Sequence, residues 1–284
     1  MAVSEATGSL LVMEYGGTGR SGKGTIVDHI SSKYKKVTSD ETGADYRTVT
    51  KYLLDERHID PEMSGRHIGI RVAALGAAQL TEMVANKRQI IGDENPKNVL
   101  YTGAINGIVQ YVSQVPETRA AIKNGFARRV ERVRDDFEAD VLLVDGRNLG
   151  PLVERIEGTQ LLMRTFVHCA PAEAALRECT RLGISMSDER AETVYRETLE
   201  AVLRRNAIDA NRDLDPVRVD EDAINYWQTS GAVGSIAVQT GRQIDFDTTV
   251  FRRESPDDPR TAMLSAAESM FNDALATVGA PRAE

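Results

Sequence analysis

Gly17-Thr18-Gly19-Arg20-Ser21-Gly22-Lys23-Gly24-Thr25 is the stretch that decides the fold. A short apolar run over residues 10–15 precedes it, and Ile26, Val27 and Ile30 follow on one helical face. Strand, glycine-rich turn and helix therefore succeed one another. A turn this poor in side chains lets several backbone N–H groups face one anion, and the positive end of the next helix dipole adds to the pull. Lys23 is long enough to reach the outer phosphates of a nucleotide, and a hydroxyl near the helix start suits a magnesium ion. Gly17, Gly19, Arg20, Ser21, Gly22, Lys23, Gly24 and Thr25 are the candidate residues for a phosphate donor. The plainer alternative is a glycine-rich turn without a ligand.

The remaining composition is compatible with that reading. The chain has 284 residues, 41% of them hydrophobic, enough for a sizeable core in one large domain or about two. A net charge of -8 argues against nucleic-acid polymers and anionic membranes as main partners, while a small phosphate ligand needs only a local basic pocket. Cys169 and Cys179 stand ten apart, without a CxxC pattern or a histidine at metal spacing, and read as reduced and structural. His29, His58, His67 and His168 are scattered and read as structural or exposed. No apolar run is expected to reach the length of a membrane span, and residues 1–10 do not read as a secretory leader, so the expected compartment is the cytoplasm.

Along the chain the pattern is that of an α/β protein with a parallel sheet flanked by helices. Residues 1–9 read as a loose tail, and strands are predicted over residues 10–14, 37–38, 141–144, 161–168 and 244–248. A polar turn is expected over residues 39–47, followed by a helix to about residue 56. Ile68, Val72, Leu75, Leu80 and Met83 mark an amphipathic helix. Residues 90–91 and 99–101 read as two short strands around a turn, which makes this insert a helix-and-hairpin unit. Helices follow over 104–115 and 118–136, the latter rich in arginines (119, 128, 129, 132 and 134) read mostly as a solvated face. Asp145-Gly146-Arg147-Asn148 lies just past a buried strand, where open α/β sheets bind ligands. A long charged helix carries Arg205, Asp209 and Arg212 on one face. Residues 217–243, with Trp227, show no clear pattern, and a polar linker at 255–259 leads to a closing amphipathic helix over 261–275.

Several of these marks, in order, resemble the cytidylate kinase branch of the nucleoside monophosphate kinases. The Gly-Lys-Gly-Thr ending of the loop is one, and Thr42-Gly43-Ala44-Asp45-Tyr46-Arg47 is similar to the family's Asp-Ser-Gly-Ala-x-Tyr-Arg. Val115-Pro116-Glu117-Thr118-Arg119 is similar to its Phe-Pro-x-Val-Arg, and Asp145-Gly146-Arg147-Asn148-Leu149-Gly150 to its Asp/Glu-Gly-Arg-Asp-x-Gly. Arg205 to Pro216 resembles Arg-Asp-x-x-Asp-x-x-Arg-x-x-x-Pro, and Phe246-Asp247-Thr248-Thr249 a late Ile-Asp-Thr-Thr. The resemblance covers residues of about 10 to 275 and implies a single P-loop kinase domain over 10–284. It further implies a monophosphate-binding insert near 48–102 and a helical lid near 183–217. The implied reaction moves the γ-phosphate of ATP, with Mg2+, onto a pyrimidine monophosphate. Its implied catalytic residues are Lys23, Arg147, Arg205 and Arg212. Its implied acceptor-binding residues are Thr42, Arg47, Gln110, Arg119, Arg147, Asn148, Asp209 and Arg212, with Asp145 near the magnesium waters. Planar guanidinium forks suit phosphate, and a carboxylate such as Asp209 suits two sugar hydroxyls.

The departures from the family pattern are informative. Arg20 stands where the family has Gly, and Asn206 where it has Asp. Asn148 replaces the base-reading acid, and Gln110 replaces a Ser. A carboxylate only accepts, which suits the exocyclic amine of cytosine, whereas an amide accepts or donates and admits a base carbonyl. An altered or relaxed acceptor choice is therefore expected. The other readings are a small-molecule metabolite kinase on the same scaffold and a non-catalytic nucleotide-binding module. A regulatory GTPase is disfavoured, because Asn86-Lys87-Arg88-Gln89 lacks the acid of Asn-Lys-x-Asp.

Overall fold

The computed structural model describes residues 9–136, 139–146, 148–185, 187–212, 216–225, 243–254 and 257–279. Arg147, Trp227, the tail up to residue 8 and linker residues 255–256 lie outside the described residues. The chain forms two compact units, Met1–Ser39 with Glu138–Glu284, and Asp40–Phe137.

The first unit is built on a six-stranded sheet in the order β2-β3-β1-β4-β6-β5. Its strands are β1 (Leu10–Gly17), β2 (Val37–Glu41), β3 (Val141–Asp145), β4 (Thr159–His168), β5 (Ile224–Asn225) and β6 (Gln243–Asp247). The pairs β1/β3, β1/β4, β4/β6 and β5/β6 all run parallel. This is the α/β fold of the P-loop kinases. β1 is buried along its whole length, as a central parallel strand covered on both faces must be. The registers Tyr15↔Asp145, Gly17↔Val167 and His168↔Asp247 bring the carboxyl ends of β1, β3, β4 and β6 to one edge. Ligands of open α/β sheets bind at that edge, beside the strand where the order reverses. β1 is the reversal point, because β3 lies on one side of it and β4 on the other.

Helix α1 (Lys23–Lys33) follows the glycine-rich turn and buries Ile26, Val27 and Ile30, the face expected from the sequence. The chain then enters the second unit, which is helical among the described residues: α2 (Thr42–Asp55), α3 (Gly65–Ala85), α4 (Lys87–Ile91), α5 (Pro96–Leu100), α6 (Gly103–Val112) and α7 (Pro116–Asp135). The turn expected at 39–47 is absent, since β2 runs to Glu41 and α2 opens at Thr42. The expected hairpin is also absent, because its two strands are the short helices α4 and α5. Pro96 at the start of α5 and the Asn95 side chain, which accepts from Lys97 N at 2.9 Å, form a helix entry rather than a strand turn. Ile91 and Leu100 bury against Ala44, and apolar pairs this short carry no period of their own. α3 is kinked at Gly76 (φ 71, ψ 162). Contrary to expectation it is long and apolar enough, by length and composition, to cross a membrane. Here it buries Ile68, Val72 and Leu80 in the core of the second unit and packs on α7. Back in the first unit come α8 (Gly150–Val153), α9 (Pro171–Arg181), α10 (Ala191–Asn211), α11 (Val250–Glu254) and α12 (Pro259–Ala276). α12 supplies Met270, Phe271 and Leu275 to the sheet's main core.

The arginines of α7 are not all solvated. Arg129 donates through Nε and Nη2 to Asp40 at 2.6 and 3.0 Å, and through Nη2 to Asp45 at 2.6 Å. Asp45 is fully buried and also receives Lys87 Nζ at 3.0 Å. Burial works against the charge on Arg129, but the hydrogen bond to Asp40 and the two carboxylates outweigh it and hold the guanidinium charged. Removing one member of such a cluster strands the others. Arg129→Met is expected to lower the unfolding free energy by about 3 kcal/mol, measured by urea denaturation. A loss below about 0.5 kcal/mol would reduce the cluster to a surface pair.

Candidate active site

The glycine-rich turn is held by contacts on several sides. At Gly17 (φ 123) a Cβ would lie 1.9 Å from the Val167 carbonyl oxygen, so only glycine lets β1 leave the sheet this close to β4. Thr18 N donates to that same oxygen at 3.0 Å. Gly22 (φ 98) stands in the left-handed region at the N-cap of α1, and no side chain caps the helix. The first-turn amides are thereby suited to an anion. Lys23 Nζ donates across the loop to Thr18 O at 2.7 Å, and Ser21 Oγ to the same carbonyl at 3.1 Å.

Arg20 also has a left-handed backbone (φ 58), which costs a non-glycine residue about 1–2 kcal/mol. The Arg20 side chain is held by an ion pair with Glu178 of α9. The Glu178 carboxyl is held below its ordinary range first by the hydrogen bond from Arg181, with Arg20 adding to it. From the other side, Thr248 Oγ1 lies 2.9 Å from Ser21 O in a buried contact. Arg177 of α9 grips Thr248, with Nη1 donating to Oγ1 at 3.0 Å and Nη2 to the carbonyl at 2.7 Å.

β3 brings Asp145 to the start of α1, where a Cβ on Gly24 would sit 3.5 Å from Asp145 Oδ2. Thr25 lies in the same first helical turn. The carboxylate of Asp145 and the hydroxyl type of Thr25 are oxygen donors of the chemistry that Mg2+ takes. The loop after Asp145 is pinned from below by Glu14, a carboxylate only 3% exposed in the middle of β1. Its Oε1 accepts from Leu149 N at 2.7 Å and its Oε2 from Gly150 N at 3.0 Å. Asn148, with φ 57, points its Oδ1 at Arg164 Nη2, 3.4 Å away.

α10 contributes the next group. Asp209 receives Arg212 Nη1 at 3.2 Å and lies 3.7 Å from Arg205 Nε. The Arg205 side chain passes over the loop, its Cδ 3.3 Å from where a Cβ of Gly19 would be. Asn206 Oδ1 accepts from Gly19 N at 3.2 Å. Arg205 and Asn206 therefore reach the same turn as Lys23, and Asp209 links Arg205 to Arg212. Thr42, Arg47, Gln110 and Arg119 belong to the second unit. There Thr42 opens α2 and is buried. Arg47 donates to Gly43 O at 3.0 Å and stacks on the Tyr101 ring, 4.2 Å from its centroid. Gln110 Nε2 donates to Gly107 O at 3.3 Å, and Arg119 is 5% exposed on α7. Cys169 and Cys179 are free and buried.

A protein-family model for cytidylate kinase matches residues 16–239. The chain belongs to the cytidylate kinase family. A cytidylate kinase of Clostridium perfringens (strain SM101) is 24% identical over 228 residues, spanning 80% of this chain and 94% of the relative. One from Neisseria meningitidis (strain FAM18) is 27% identical over 213 residues, 75% of this chain and 87% of the relative. One from Methylobacterium sp. (strain 4-46) is 29% identical over 217 residues, 75% and 86% of the two chains.

In this family member the sequence did not single out Glu14, Arg164, Arg177 or Glu178. A signal existed for the first two: each is a lone charge inside an apolar strand run, LLVMEY and LLMRTFV, and a buried charge must be partnered. Thr248 lay in a recognised motif, but its contact with the loop depends on β6 standing beside β4.

The Thr248 contact predicts a functional cost. Thr248→Val keeps the shape and removes the hydroxyl, and should weaken binding of an ATP analogue roughly 10-fold in calorimetry. Unchanged affinity would exclude a supporting role. His168, whose carbonyl oxygen accepts from Thr248 N at 2.8 Å, places Nε2 2.7 Å from Asp245 Oδ1. Burial lowers the His168 pKa, but the hydrogen bond and charge of Asp245, with Asp247, outweigh it and raise it above the usual value. Its stabilising effect is thus complete below about pH 6.5 and is lost as pH rises through the higher folded-state value. Unfolding free energy should fall over this range in the parent protein and stay flatter in His168→Asn. Equal slopes would show that the pair does not titrate with folding.

Proposed function

We propose that the chain transfers the γ-phosphate of ATP to a pyrimidine nucleoside monophosphate in the cytoplasm. The observation carrying this reading is the set of contacts that Lys23, Arg205 and Asn206 make with the turn Gly17–Gly22, with Asp145 beside Gly24 and Asp209 beside Arg205, in a member of the cytidylate kinase family. Phosphoryl transfer depends on positioning and charge neutralisation more than on a covalent partner. Lys23 and the amides of α1 would hold the donor phosphates. Arg205 and Arg212, both beside the Asp209 carboxylate, would neutralise charge as it develops on the transferred group, together with Arg147. Asp209 would also take the acceptor ribose. Mg2+, when bound near Asp145 and Thr25, supplies Lewis-acid neutralisation of the donor phosphates. Arg47 and Arg119 are proposed for the acceptor phosphate and the planar base, with Thr42, Gln110 and Asn148 as further acceptor contacts. The insert near 48–102 and the lid near 183–217 keep the roles that the resemblance implies.

Coupled measurement of ADP release with CMP, dCMP, UMP and dTMP tests this reading. Lys23→Met should lower kcat on the order of 100-fold or more with the fold intact by circular dichroism. ATP binding without turnover on any of the four acceptors would favour a nucleotide-binding module, and turnover only on a non-nucleotide acceptor a metabolite kinase.

A further inference from the structure

We propose that Arg164 orients Asn148 so that it presents a hydrogen-bond donor to the acceptor base. The preferred acceptor is then a pyrimidine monophosphate with a carbonyl where cytosine carries its amine, that is, a uracil or thymine base. This rests on the proposed role of Asn148 as a base contact.

Arg164 lies in the middle of β4, and its guanidinium meets acceptors on three sides. Glu14 Oε2 lies 3.5 Å from Nε, Asp220 Oδ2 3.2 Å from Nη1, and Asn148 Oδ1 3.4 Å from Nη2. A guanidinium has five N–H donors and no acceptor. The end of the Asn148 amide turned towards it must therefore be the oxygen. Turning the amide over would set an NH2 group against a cation, donor to donor. What remains for a ligand is the NH2 end, and no described residue accepts a hydrogen bond from it.

The backbone beneath is held as well. Asn148 has a left-handed φ of 57, and the next two amides, Leu149 N and Gly150 N, are both bound by the buried Glu14 carboxylate. Asparagine and aspartate tolerate this conformation better than other non-glycine residues, so either fits the loop. They differ in what they present. An aspartate here would give one oxygen to Arg164 and offer the other, an acceptor suited to an amine. An asparagine gives its oxygen to Arg164 and offers a donor suited to a carbonyl. The same anchor thus reads opposite base edges according to one atom.

Three proteins test this: the parent, Asn148→Asp, and Arg164→Lys, which keeps a positive charge against Glu14 and Asp220 but loses the planar fork. Specificity constants (kcat/KM) are compared for UMP and dTMP against CMP and dCMP, with dissociation constants for UMP and CMP measured by calorimetry in the presence of a non-hydrolysable ATP analogue. The parent should favour the carbonyl bases by about 10-fold or more. Asn148→Asp should invert the order, and Arg164→Lys should bring the two classes to within about threefold. Thermal melting checks the folding of both variants. Asn148→Asp leaves Glu14 and Arg164 in place, so its result decides the question even where Arg164→Lys does not fold. A parent that prefers CMP, or an order unmoved by Asn148→Asp, would overturn the inference while leaving the kinase reading standing. A folded Arg164→Lys protein with the parental ratio would show that Arg164 does not set the amide. Failure of all four monophosphates to bind or turn over would instead overturn the proposed function, and this inference with it.

Discussion

The close passage of β1 against β4 at Gly17 is the constraint on which the rest of the site depends. With the Val167 carbonyl oxygen where a Cβ would have to go, the chain leaves the sheet in one direction only, and Thr18 N closes onto that oxygen. Everything that follows is aimed from this exit. Thr248 supports Ser21 from β6, Glu178 holds Arg20 from α9, and Asn206 meets Gly19 from α10. Half of the turn Gly17–Gly22 is glycine, so its shape is fixed largely by neighbours drawn from distant parts of the chain.

The electrostatics follow the same plan. The chain carries a net charge of -8, yet its cations are placed individually by acids that orient them: Asp209 for Arg212 and Arg205, Glu178 for Arg20, Glu173 for Arg177. A planar guanidinium held on one side by a carboxylate keeps its remaining donors in a defined direction. Glu14 shows the inverse arrangement. Buried in the central strand, it is balanced by two backbone amides and by Arg164. It anchors the loop after β3, so the position of Asn148 is referred to the buried central strand of the sheet.

Much of this is legible in the amino-acid sequence. The apolar runs at β1, β3 and β4, the loop between β1 and α1, and the shared face of Arg205, Asp209 and Arg212 all stand in local patterns, because parallel buried strands and amphipathic helices write their period directly into the chain. The second unit is less legible. Ile91 and Leu100 occur in apolar pairs too short to distinguish helix from strand. Arg129 sits among charged residues that look solvated, and its engagement with Asp40 and Asp45 bridges residues 89 and 84 positions away.

By itself, then, the sequence determined the α/β class and the glycine-rich turn, which rest on short local spacings, and the family, which rests on short motifs in a fixed order along the chain. Only the tertiary structure decided which groups hold that turn and which end of Asn148 faces Arg164. Those depend on strand neighbours: β4 beside β1 brings Arg164 to Glu14, and β6 beside β4 brings Thr248 to Ser21. Strand order is set by how helices pack on both faces of the sheet, a global balance of burial that no local window contains.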